Sequence, residues 1–196
     1  MEGSEPWVDY KERQKGIPGS YPDSPGDFQI EWDLQNNFPV VIDAVKEIRE
    51  KGNQYYEGAD MERAIEEYAK SLRYIDHLRE SMGSTSREEE SIIQVHEAKA
   101  YGNLAAANLR LKAWRSAIRY CELVLFVHTG NIKALYRRGL AYKGRKDYTL
   151  ALRDFEMILE KDPSNTAAQV EIWKIKSEIK AYRVEERAMY QRMFEQ

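Results

Sequence analysis

The chain has 196 residues, with 30 lysines and arginines against 33 aspartates and glutamates, for a net charge of −3. That length holds one domain with a sizeable core plus a tail, and near-neutrality excludes the clustered basic excess of a nucleic-acid binder, so any anion site has to be local. No apolar run approaches the ~20 residues of a membrane span, the opening Met1-Glu2-Gly3-Ser4-Glu5-Pro6 lacks the regions of a secretory signal, and the single Cys121 leaves no internal disulfide. A soluble, cytoplasmic protein is expected, with Cys121 as a small core residue and not a reactive thiol.

Pro6, Pro18, Pro22, Pro25 and Pro39 fall in the first 39 residues, together with Gly3, Gly16, Gly19 and Gly26. Proline removes a backbone donor and glycine adds backbone entropy, so residues 1–39 read as a tail or linker without regular helix. Trp7, Phe28, Ile30 and Trp32 give part of this stretch the means to pack onto a domain.

From residue 40 onward the apolar spacing is helical and no proline occurs until Pro163. Units starting at Ala98 and Ile132 are offset by 34 residues, and at that offset Ala107 matches Ala141, Ala117 matches Ala151, Glu122 matches Glu156, Leu125 matches Leu159 and Asn131 matches Asn165. A further unit starts at Val45. Each unit reads as two helices; in the last, these are predicted over residues 132–144 and 148–161. Gly52, Tyr55, Ala64 and Tyr68 take the packing positions of the first unit, and Gly139, Tyr142, Ala151 and Phe155 those of the last. In the middle unit these are Ala105, Asn108, Ala117 and Cys121, the least regular set. Small residues let the helices approach and aromatics fill the space between them. A two-helix unit of about 34 residues is the period of tetratricopeptide repeats, which stack into a superhelix with one concave face.

The expected architecture is therefore all-α. Repeats span about residues 45–78, 98–131 and 132–165 of a domain covering 40–196, and a long helix over 166–195 caps the array. Val170, Trp173, Ile175, Ile179 and Tyr182 are its expected apolar side, whereas residues 183–194 carry charge on most sides and offer a weaker case for calmodulin binding. The first two units start 53 residues apart instead of 34, an excess of 19. Ser81 to Ser86 reads as a loop within it, and Arg87-Glu88-Glu89-Glu90 as a helix restart. Longer helices flanking a solvated loop explain this insertion better than a partner contact does.

Lys46, Lys99 and Lys133 each occupy the second position of their unit. At about 100° per residue, positions 2, 5, 6 and 9 of a first helix share one side, opposite the packing positions. That side presents Lys46, Arg49 and Asn53, then Lys99 and Asn103, then Lys133 and Arg137. Lysine offers a compact charge, arginine a planar fork and asparagine an amide donor, a set suited to carboxylates. Any one of these could belong to a solvated face, with Glu47 and Glu50 partly neutralising it. Seven in register point to a groove for an acidic peptide.

Arg49-Glu50-Lys51-Gly52-Asn53, Tyr101-Gly102-Asn103-Leu104-Ala105 and Lys133-Ala134-Leu135-Tyr136-Arg137-Arg138-Gly139 resemble the corresponding segments of carboxylate-clamp tetratricopeptide domains. The resemblance covers about residues 40–195. It implies that Arg49, Asn53, Asn103, Lys133 and Arg137 grip the C-terminal Met-Glu-Glu-Val-Asp tail of heat-shock protein 90, or the similar tail of the seventy-kilodalton chaperone. Lys46 and Lys99 would extend the groove. Arg49 departs from the pattern, where lysine is usual. The long insertion, the Lys-Ala-Leu-Tyr-Arg-Arg-Gly run and the end Glu186-Arg187-Ala188-Met189-Tyr190-Gln191-Arg192-Met193-Phe194 resemble the immunophilin co-chaperones, of FKBP or large cyclophilin type. In those proteins a prolyl isomerase domain precedes the repeats, so one further reading is the targeting part of such an enzyme. Another is a scaffold for an internal partner segment.

Catalytic chemistry is not expected. His77, His96 and His128 have no metal-type spacing, and no phosphate loop, nucleophile elbow or cysteine pair is present. His96 is expected on a helix surface, His77 near a helix end and His128 at a turn. No metal, cofactor, nucleic acid or membrane is expected as a partner.

Overall fold

The computed structural model describes residues 37–194, and every regular element among them is a helix. The expected packing of Trp7, Phe28, Ile30 and Trp32 lies outside the described residues. The helices are α1 (Phe38–Glu57), α2 (Met61–Met82), α3 (Arg87–Arg110), α4 (Trp114–Val127), α5 (Ile132–Gly144), α6 (Tyr148–Lys161) and α7 (Thr166–Phe194). They form three antiparallel hairpins, α1–α2, α3–α4 and α5–α6, with α7 packed against α6.

Local chemistry sets the helix ends. Asn131 and Asn165, one period apart, cap α5 and α7 by accepting from Ala134 N at 3.0 Å and Ala168 N at 3.1 Å. Ser86 and Glu89 form a reciprocal capping box at the start of α3, as the acidic restart suggested. Pro39 stands in the first turn of α1, so the helix begins inside the stretch read as irregular tail. The first-turn N–H groups have no intrahelical acceptor, and a proline there loses no bond.

All three hairpins turn the same way. Ala59, Lys112 and Lys146 are left-handed, with φ of 62°, 57° and 66°. The next residue in each case, Asp60, Ala113 or Asp147, returns its N–H to a carbonyl five residues earlier, at 2.9 Å. None of the three is a glycine, so this device is invisible to a search for glycine turns.

The packing positions behave as the spacing implies. A Cβ on Gly52 would come within 2.6 Å of the Tyr68 ring, and one on Gly139 within 2.8 Å of the Phe155 ring. Close approach of the backbone to an aromatic ring is what requires glycine at both sites. In the middle hairpin Ala105 and Cys121 are both fully buried. Burial pushes the Cys121 thiol up to about 12, which removes the thiolate a reactive cysteine needs.

The insertion is spent on helix. α2 has 22 residues and α3 has 24, against 13 in α5 and 14 in α6. The added turns, with the start of α1, close a second core of Val41, Ile42, Val45, Ile75, Leu78 and Ile93. Arg79 on α2 ties this extension together by donating to Glu90 and Glu97 on α3.

α7 covers the end of the array with part of the side expected: Ile175 and Ile179 belong to it, and Val170, Trp173 and Tyr182 do not. Ala168, Glu171 and Ile175 are buried and Ile172 and Ile179 pack beside them, while Val170 and Tyr182 are exposed and Trp173 is 69% exposed. On the same face, buried Glu171 accepts from Lys143 on α5 at 2.9 Å and from Lys174 at 2.6 Å. Burial opposes its ionisation, but the two ammonium groups outweigh that and hold its carboxyl below the usual range. No helix among the described residues is long and apolar enough to cross a membrane.

Candidate functional site

The first helices of the hairpins pack side by side, α1 on α3 and α3 on α5, with α2 and α4 wedged behind them. Their faces turned away from the second helices thus form one inner surface. Arg49, Asn53, Asn103 and Arg137 are half-buried in it, and Lys46, Lys99 and Lys133 are exposed along it.

Hydrogen bonds join the three helices across this surface. Asn53 Oδ1 on α1 accepts from Asn103 Nδ2 on α3 at 2.9 Å and from the Tyr68 hydroxyl on α2 at 2.9 Å. Burial pushes the Tyr68 phenol up to about 12, so the hydroxyl stays a donor and fixes the amide's orientation. Arg137 Nη1 on α5 donates to the carbonyl oxygen of Gly102 on α3 at 2.7 Å. A Cβ at Gly102 would sit 3.2 Å from that nitrogen, so the glycine gives the guanidinium its place. Five expected residues, Arg49, Asn53, Asn103, Lys133 and Arg137, thus lie on one surface. Direct side-chain bonding among them is limited to Asn53 and Asn103.

The neighbouring acids neutralise this row less than their sequence positions suggest. Glu50 accepts from Asn53 Nδ2 at 3.0 Å, and Lys46 pairs with Asp43 at 2.7 Å. Arg49, Lys99, Lys133 and Arg137 make no ion pair with any described residue. Arg49 Nε is buried without a hydrogen-bond partner. Cations without a counter-charge among the described residues are what an external anion would complete.

Three residues of this surface were not anticipated. Tyr68 and Gly102 act from behind, and their roles depend on distances across helices. His96 is a correction: it was expected on a helix surface, and it is only 6% exposed. It falls between Ile93 and Ala100, at the i+3 and i+7 phase of α3's buried stripe, so the pattern did carry a signal. Burial, then Lys99, Arg49 and Lys46, hold its imidazole below the usual value. Among the described residues no group of three His, Cys, Asp or Glu could hold a metal ion.

The sequence model of the tetratricopeptide repeat matches residues 132–165, which span the α5–α6 hairpin. The chain therefore contains a tetratricopeptide repeat. It is 31% identical over 148 residues to the human peptidyl-prolyl cis-trans isomerase FKBP4, a match covering 76% of this chain and 31% of that protein. The chain therefore spans about a third of the length of the curated relatives it matches. Among solved structures, the C-terminal tetratricopeptide domain of a putative FK506-binding protein of Plasmodium falciparum superposes with a TM-score of 0.66 at 21% identity. That alignment covers 76% of this chain and 97% of the other. The first tetratricopeptide domain of Spaghetti (RPAP3), bound to the HSP90 peptide SRMEEVD, aligns with a TM-score of 0.55 at 26% identity, over 69% of this chain and 94% of its own. The tetratricopeptide repeat is a protein-interaction fold.

Proposed function

We propose that the inner surface of this repeat array is a carboxylate clamp that docks the acidic C-terminal tail of heat-shock protein 90, making the chain a cytoplasmic co-chaperone module. The observation that carries this reading is the row Arg49, Asn53, Asn103, Lys133 and Arg137 across α1, α3 and α5, in which hydrogen bonds hold Asn53, Asn103 and Arg137 and no carboxylate of the described residues pairs with the cations. A C-terminal aspartate presents two carboxylates close together, and two arginines, a lysine and two amides can receive both. The similarity to a domain bound to SRMEEVD supports the choice of ligand. The related tail of the seventy-kilodalton chaperone carries the same terminal chemistry and is the second ligand of this reading. Similarity to FKBP4 supports a role for such a module in directing a prolyl isomerase to the chaperone.

The test is calorimetric titration with a peptide ending in Met-Glu-Glu-Val-Asp and with its C-terminal amide. Micromolar affinity lost on amidation is expected. Lys133→Ala or Arg137→Ala should each weaken binding by about 2–5 kcal/mol, the range for truncating one partner of a buried charge pair, with the thermal melt preserved. Affinity retained in both variants sinks the clamp. Equal binding of acid and amide would point instead to a scaffold for an internal segment.

A further inference from the structure

α3 outruns its hairpin partner. It has 24 residues and α4 has 14, so the first turns of α3 have α2 on one side and no α4 on the other. The step leaves a cavity of about 650 Å³, within the range of a ligand cleft, about 300–1,000 Å³. Part of its lining is polar: Ser91 and Gln94 border it, and Arg79 holds the carboxylates of Glu90 and Glu97. Part is apolar: Phe126 and Val127, the last residues of α4, are 47% and 38% exposed and line it too. Arg87, the first residue of α3, also borders the cavity and makes no ion pair with any described residue. At about 100° per residue, Glu90, Gln94 and Glu97 lie on the far side of α3 from Lys99 and Asn103. The cavity is therefore separate from the inner surface.

We propose that residues 28–34 of this same chain occupy the cavity, crossing the first turns of α3 with their apolar side turned to Phe126 and Val127. Apolar and polar residues alternate strictly in Phe28-Gln29-Ile30-Glu31-Trp32-Asp33-Leu34, the pattern of an extended chain with one buried side. The described residues offer such a chain no strand to pair with. Its backbone N–H and C=O groups then need side-chain partners, and the Ser91 hydroxyl and Gln94 amide supply both kinds. Reach permits the placement. Leu34 stands four residues before Phe38, at most about 14 Å of chain, and Phe28 ten residues before it, at most about 35 Å. Phe38 and Met82 pack against the core that includes Ile93, at the end of the array where α2 stops and α3 starts. From there the segment has one helix to cross, about 10 Å. Charge agrees as well: no lysine or arginine occurs between Lys15 and Lys46, and Glu31 and Asp33 are available to Arg87. A segment seated there covers Phe126 and Val127, anchors residues 1–27 on the far side of α3 and leaves the inner groove open.

The experiment uses the full chain, in which buried Cys121 is the only native cysteine. A nitroxide label is attached through Gln29→Cys, on the polar side of the segment, and NMR spectra are recorded before and after its reduction. Broadening is expected at the Val127 methyls and at the Ser91 and Gln94 amides, not at Asn103 or Arg137, and unchanged on dilution. Broadening centred on Asn103 and Arg137 would place the segment in the inner groove, and broadening that fades on dilution would make a second copy the occupant. Either result overturns the proposal, as does no broadening at Val127. A second arm follows urea midpoints. Trp32→Ala should lower the midpoint of the parent protein and leave that of Phe126→Ala unchanged, because residues in contact are not additive. Phe126 is half-exposed, so its replacement spares the packed core. A lowering by Trp32→Ala that is equal in both backgrounds, or absent from both, would refute the contact.

Discussion

Gly102→Ala should separate the stability of the fold from the geometry of the groove. Gly102 lies inside α3, where glycine is worth about 1 kcal/mol less than alanine. The new Cβ would meet one atom, Arg137 Nη1 at 3.2 Å, the far end of a flexible side chain. The helix therefore gains up to about 1 kcal/mol, or about 2–4 °C in Tm for a domain of this size. The guanidinium loses its seat, because the 2.7 Å bond from Nη1 to the Gly102 carbonyl cannot persist unchanged beside a methyl group. A hydrogen bond to a charged group contributes about 1.5–3 kcal/mol. Losing roughly a third to a half of that on the ligand side is about 1 kcal/mol, or about fivefold in Kd. Thermal melts followed by circular dichroism read the first effect, and fluorescence anisotropy of a labelled Met-Glu-Glu-Val-Asp peptide reads the second. A lower Tm would show that Arg137 is structurally locked. An unchanged Kd would show that its position in the groove does not matter to binding.

Gly139→Ala should act in the opposite sense on stability: its Cβ would lie 2.8 Å from the rigid, fully buried Phe155 ring, and overpacking of this kind costs roughly 1–3 kcal/mol, readable as a lower urea midpoint. A midpoint equal to that of the parent protein would mean the α5–α6 contact has slack. Lys146→Gly should raise the midpoint by about 1 kcal/mol, since the residue sits at φ 66°, where a side chain is strained; a fall would show that the lysine stem makes a compensating contact. His96 predicts the pH response of the unliganded domain. Its folded value lies below the unfolded 6.5, so as pH drops past 6.5 the unfolded chain binds more protons than the folded one. The stability is present in full above that point and is lost as pH falls through the folded value. Urea midpoints at about pH 7.5 and about pH 5.5 should drop further in the parent protein than in His96→Gln, and equal drops would refute the assignment.

The fold was legible wherever one period carried the information. Residues 132–144 and 148–161 were predicted as helices and are α5 and α6, because Asn131 and the stop before Pro163 mark their ends in the sequence. The same phase that packs Gly52 on Tyr68 and Gly139 on Phe155 turns Arg49, Asn53, Asn103 and Arg137 to the inner surface. Periodicity could not reveal a turn made by Ala59, Lys112 and Lys146, where the hydrogen bond and not the residue type selects the left-handed conformation. Nor could it show that Glu171 joins Ile175 and Ile179 on the packed side of α7 while Trp173 stays outside, where Lys143 reaches the carboxylate from α5.

His96 illustrates the same limit. One period on, the matching residue is Gly130, which precedes α5 and belongs to no helix; one unit back it is Asp43, in the early turns of α1. The mismatch arises because α1 and α3 begin before the repeat proper, as α5 does not. The extension closes the core around Val45, Ile75 and Ile93, and it places Asp43, Lys46, His96 and Lys99 in one electrostatic neighbourhood. A feature present in two units and absent from the third cannot be found by matching units.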